Sequence, residues 1–99
     1  MESVNNIEQA IEIFELNSNN YYYTGQQFEN YSQIEDSAKD HFEDCGYNTE
    51  FMKVDKVGTS KFFNNETNCV ISIDRYESHA GDSAVGPEDY FYGYIVTEN

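Results

Sequence analysis

What this chain lacks most is positive charge. Five Lys and Arg stand against 19 Asp and Glu, a formal net charge of -14 over 99 residues. No two basic residues are adjacent, so the Lys and Arg clusters that grip phosphates are missing and direct nucleic-acid binding is disfavoured. An acidic surface is also repelled by anionic lipid headgroups. No apolar run approaches the roughly 20 residues that a membrane-spanning helix needs, and a membrane role is not expected.

Other absences narrow the chemistry. There is no CxxC pair, no GxGxxG and no GxxxxGK[ST], so zinc, dinucleotide and P-loop readings lack their usual sequence support. Cys45 and Cys69 are the only cysteines and allow one bridge at most. The N-terminal residues lack the charged and apolar regions of a signal peptide. Reduced thiols and a cytoplasmic location are therefore expected.

What is present suffices for one folded unit. Seven Phe and nine Tyr supply much of a hydrophobic share of 38%, enough large apolar surface to drive folding despite a mean hydropathy of -0.76. A single acidic domain over residues 1–99 is expected, since chains of this length rarely divide.

Periodicity gives the elements. In residues 4–16, Val4, Ile7, Ala10, Ile11 and Phe14 share one arc of a helix, and Glu8, Glu12 and Glu15 form an acidic strip beside it; Asn17 to Asn20 should end it. Tyr21 to Thr24 has the aromatic character of a short strand. Residues 32–46, "SQIEDSAKDHFEDCG", predict a second helix, with Ser32 and Glu35 in capping-box spacing and Gly46 at a left-handed stop. Short β-type runs follow at 47–57, 60–63 and 68–76, the last with Cys69, Ile71 and Ile73 on one face. Asn64 to Asn68 reads as a hairpin connection, Ser78 to Pro87 as a surface loop, and residues 90–97 as a final strand. Without regular βαβ alternation, the expected class is α+β: an antiparallel sheet of three or four strands with two helices packed on one side.

On the second helix, Ile34, Ala38, His41, Phe42 and Cys45 occupy one arc, and Asp36, Asp40, Glu43 and Asp44 the opposite one; Lys39 lies nearer Glu35 and Glu43 than the aspartate row. One polar outer face is ordinary for an amphipathic helix. What calls for explanation is its recurrence on the first helix and again at Asp74, Glu77, Asp82, Glu88 and Asp89, with few bases to compensate. Carboxylates spaced along a rigid support present charge much as phosphates do along a nucleic-acid strand, and aromatics such as Tyr90 and Tyr92 can anchor such a surface by stacking on arginine.

In size, acidity and arrangement the chain resembles the small acidic DNA-mimic inhibitors that phages and mobile elements direct against restriction or CRISPR systems. Those inhibitors share no common fold, so the resemblance assigns no residue a role. It implies a non-enzymatic inhibitor that occupies the nucleic-acid site of a host defence protein and blocks DNA binding. The partner would be a basic DNA- or RNA-binding protein, such as a nuclease or a CRISPR or restriction component, met by a monomer or homodimer without cofactor. The residues expected to touch it are Glu35, Asp36, Asp40, Glu43, Asp44, Glu77, Asp82, Glu88, Asp89, Tyr90 and Tyr92. The alternative is an immunity protein that neutralises a nuclease toxin, since an acidic inhibitor can plug a cleft without imitating a duplex.

Catalytic and metal readings are weaker. Ser78, His79 and Asp82 contain the atoms of a hydrolase triad but share one short segment, whereas triad members converge from separate elements. His41 is expected as a core or boundary histidine rather than a ligand, and Cys45 as a small buried apolar residue. The C-terminal carboxylates lack EF-hand spacing for calcium. Tyr90, Tyr92 and Tyr94 alternate on one strand face and are expected either to pack under a helix or to form an exposed patch.

Overall fold

In the computed structural model, which describes residues 1–19, 24–81 and 89–99, the element order is β1 (Glu2–Val4), α1 (Ile7–Asn19), β2 (Gln26–Phe28), α2 (Tyr31–Asp44), β3 (Lys53–Asn64), β4 (Cys69–His79) and β5 (Tyr90–Glu98). Of the predicted strand at Tyr21 to Thr24, residues 21–23 lie outside the described residues, and Thr24 is not part of a strand. The strands form one sheet in the order β1-β3-β4-β5-β2. β3, β4 and β5 pair antiparallel, while β1 runs parallel to β3 and β2 parallel to β5.

The α+β class holds, but the sheet is mixed and has five strands rather than three or four antiparallel ones. The edge strands β1 and β2 are three residues long, with Val4 and Phe28 their only buried positions. That is too short for a period-two pattern to register in sequence. β3 was expected as two runs. It is one strand whose register with β4 shifts between Lys56 and Gly58, and this bulge inserts Val57 and changes the phase of the alternation.

The helices do not share one side of the sheet. α1 packs Ala10 and Phe14 on Phe62, Ile71, Ile73 and Tyr94, whereas α2 packs Ile34 on Phe28 and Ile95, with Val54, Tyr76 and Phe91 at the margin. Ile71 and Ile73 alternate with Tyr76 and Ser78 along β4, so the two sets project from opposite faces. Topology explains this. β1-α1-β2 crosses the sheet from one edge to the other, and β2-α2-β3 crosses back. Parallel crossovers running in opposite directions keep the same hand only with their helices on opposite faces.

Both helices begin with the same device. Asn6 accepts from the Gln9 backbone N–H at 2.8 Å while the Gln9 side chain accepts from the Asn5 N–H at 2.8 Å. Asn30 and Gln33 repeat the pattern at 3.0 Å, with Gln33 accepting from the Glu29 N–H at 2.9 Å. The α2 cap is therefore Asn30 and Gln33 rather than Ser32 and Glu35; asparagine is as good a cap as serine, and glutamine does the work of glutamate at the third helical position. The stop is as expected: Gly46 has φ 86, its N–H donates to Glu43 at 3.0 Å, and the Tyr47 N–H donates to Phe42 at 2.9 Å. The Tyr47 ring lies 5.9 Å from that of Phe42, completing a Schellman motif with its apolar contact.

Beneath α1, Tyr94 stacks obliquely on Phe14 at 5.1 Å and its hydroxyl donates to Glu15 at 2.9 Å. Burial, reinforced by this carboxylate, pushes the Tyr94 phenol up to about 12 from its ordinary 10. Because the folded-state value is raised, the stability that Tyr94 contributes should be fully present below pH 10 and be lost as pH rises from there through 12. Tyr94→Phe should blunt this alkaline loss and cost about 1.5–3 kcal/mol at neutral pH, the range for a hydrogen bond to a charged acceptor. Urea unfolding at several alkaline pH values checks both.

Candidate functional site

The Schellman stop and the asparagine cap fix α2 at both ends, and Ile34, Ala38 and Phe42, all fully buried, hold its inner stripe to the sheet. Of the remaining positions, Ser37 and His41 are half-buried and the others face solvent. Glu35, Asp36, Asp40, Glu43 and Asp44 are all exposed, and Asp36, Asp40 and Asp44 follow each other at about 6 Å along the axis. Lys39, also exposed, makes no ion pair with any described residue. Glu43 accepts a hydrogen bond from Thr49 at 3.1 Å, which leaves its charge intact.

Elsewhere, carboxylates serve the fold. Glu15 takes the Tyr94 hydroxyl, Asp74 accepts from Thr59 at 2.6 Å, and Glu98 accepts from Asn64 at 2.8 Å and Thr67 at 3.1 Å. The aspartate row of α2 has no such internal use among the described residues. Like charges at this spacing cost a helix a few tenths of a kcal/mol per pair, a cost the tertiary packing of Phe42 and Ile34 outweighs.

The other predicted contact residues separate. Asp89 joins α2: its Oδ2 lies 2.8 Å from His41 Nε2, with the two side chains 42% and 37% exposed. Glu77, Tyr90 and Tyr92 project from the opposite face, the one that carries Tyr94. There Tyr90 and Tyr92 stack at 6.2 Å, and His79 lies 6.4 Å from Tyr90. Burial first, then Glu77 and Tyr90, raises the Tyr92 phenol above its ordinary range. α1 covers Tyr94 but not Tyr90, which is 40% exposed. The tyrosine stripe thus divides between a packed end and an open one. Asp82 and Glu88 lie outside the described residues, as does most of the predicted loop from Ser78 to Pro87; Ser78 and His79 themselves belong to β4.

A trench of about 690 Å³ runs between β2 and the first turns of α2, walled by Gln27, Phe28, Glu29, Gln33, Asp36 and Ser37. It extends the acidic face with amide side chains. The hydrolase triad does not assemble: Ser78 and His79 are neighbours in β4 and point to opposite faces. Cys45 and Cys69 are both free, and Cys45 is exposed, correcting its expected burial. It is the C-cap residue of α2, one step past the last buried turn.

One grouping escaped the sequence reading. His41, Cys45 and Asp89 bring one nitrogen, one sulfur and one oxygen within 4.8 Å of one another. The His/Cys half is visible as an i, i+4 pair, but Asp89 is 48 residues from His41 and arrives only through the topology. The chain matches no known protein family, no curated protein and no solved structure. Among the described residues, no helix is long and apolar enough to cross a membrane.

Proposed function

We propose that this chain is a non-enzymatic inhibitor that uses the outer face of α2 to occupy the nucleic-acid site of a DNA-processing defence protein, of the restriction or CRISPR kind, and so keeps DNA out. The observation that carries the reading is the row Asp36, Asp40 and Asp44, flanked by Glu35 and Glu43: exposed, fixed on a capped helix and left uncompensated. Dimensions support it. The body measures 49 × 26 × 17 Å, a length of roughly 14 stacked base pairs at the 3.4 Å rise of a strand and a cross-section near that of a duplex.

A partner of this kind supplies Lys and Arg, so affinity should fall steeply with salt and duplex DNA should compete for the same site. The test is competition between labelled duplex and this protein on purified restriction and CRISPR effectors at low and high salt. Equal affinity at both salt concentrations, or simultaneous binding with DNA, overturns the proposal.

The placement of the two acidic helices on opposite faces favours a second reading, an immunity protein against a nuclease toxin, because a plug in a catalytic cleft needs only one charged face. Here one cognate toxin should be bound very tightly and unrelated DNA-binding proteins not at all.

A further inference from the structure

We propose that His41, Cys45 and Asp89 form a binding site for a divalent transition-metal ion of the zinc class, independent of the inhibitor reading. The donor set is a ring nitrogen, a thiol sulfur and a carboxylate oxygen, all within 4.8 Å of one another. Soft and borderline donors of this kind select zinc-like ions over calcium or magnesium, which take oxygen.

Two of the donors sit on α2 and the third on the residue that precedes β5. His41 and Cys45 are one turn apart on α2 and therefore project from the same side of it. Asp89 is delivered by the residue just before β5, where its Oδ1 also accepts the Tyr90 N–H at 3.0 Å. That contact leaves Oδ2 directed at His41 Nε2, at 2.8 Å. Tetrahedral zinc, with bonds of about 2.0–2.3 Å, holds its donors roughly 3.3–3.6 Å apart. An ion entering between them takes the place of the hydrogen that joins Nε2 to Oδ2; that proton moves to Nδ1 and frees the Nε2 lone pair for the metal, the two atoms move apart by about half an ångström, and the Cys45 sulfur is drawn in. The Cys45 thiol proton is released to solvent as the metal–sulfur bond forms.

Two further features favour a cation here. The site sits at the C-terminal end of α2, the negative end of its dipole. Phe42 and Phe91, whose rings lie 5.1 and 5.5 Å from that of His41, give it an apolar wall on one side. A cleft of about 240 Å³ bordered by His41, Tyr90, Phe91 and Tyr92 opens next to it. Three protein ligands leave a fourth position for water, so the site is open rather than closed.

Zinc and cobalt(II) titrations of the reduced full-length chain test this, with excess magnesium present to saturate the carboxylate surface. One equivalent of zinc should bind with proton release, and cobalt(II) should give the near-ultraviolet thiolate charge-transfer band. Cys45→Ser alters an exposed atom and should keep the fold, yet abolish that band. It and His41→Ala should each weaken zinc binding by at least about 100-fold, since loss of a direct ligand exceeds the 10–100-fold typical of outer-shell partners. Zinc binding of equal strength in the wild type and Cys45→Ser, or a cobalt complex without a thiolate band, overturns the proposal and marks the binding as adsorption to surface carboxylates.

Discussion

Changing Asp36, Asp40 and Asp44 together to lysine is expected to lower affinity for the DNA-processing partner by at least about 1,000-fold. Close charge pairs across an interface couple by about 1.5 kcal/mol or more each, and every 1.4 kcal/mol is about tenfold. Reversal adds repulsion to the lost attraction. The three side chains are exposed and bond to no described residue, so the fold should survive, and the far-ultraviolet spectrum and urea midpoint serve as controls. Glu8→Lys with Glu12→Lys, on the helix across the sheet, should change affinity only a few-fold through long-range steering. A triple variant that still displaces duplex DNA would place the contact elsewhere, with the open Tyr90 and Tyr92 end as the surface to examine next.

Phe42→Ala is the substitution expected to cost most stability. Its ring is fully buried and fills the space between Ala38, Ala80, Tyr47, Met52 and Phe91. Phe-to-Ala truncations in such surroundings cost about 3–5 kcal/mol, a large part of the roughly 5–15 kcal/mol that holds a small domain together. The flanking residues Ala38 and Ala80 are too small to fill the void. Loss of this ring also removes the apolar contact of the α2 stop, so the His41 to Cys45 turn should fray before the rest of the helix. Urea unfolding gives the first quantity, and amide exchange at Asp44 to Tyr47 gives the second. A cost under about 1 kcal/mol would mean that neighbouring side chains collapse into the cavity.

Much of this architecture is legible before any coordinates. Strong periodicity marks both helices, and the glycine stop of α2 and the hairpin turn, with Asn68 at φ 58, fall where turn chemistry puts them. The edge strands escape because three residues carry no alternation, and their partners β3 and β5 are distant in sequence. The placement of helices on opposite faces depends on the order of strands in the sheet, which local pattern does not encode. The α2 carboxylate row is readable because helical geometry alone places it. The separation of Glu77, Tyr90 and Tyr92 from that row, and the meeting of Asp89 with His41, follow from the same long-range pairing and have no local signature.

The apolar interior is divided in a way that bears on how the molecule comes apart. One set of buried side chains belongs to α1 and another to α2, and no described residue is common to the two. The backbone ladders of β4 and β5 run through both. Each face can therefore loosen without opening the packing of the other, and protection from solvent exchange should fall into two blocks of unequal lifetime joined by the central strands of the sheet. A ligand that clamps only the α2 face would lengthen one lifetime and leave the other as it was.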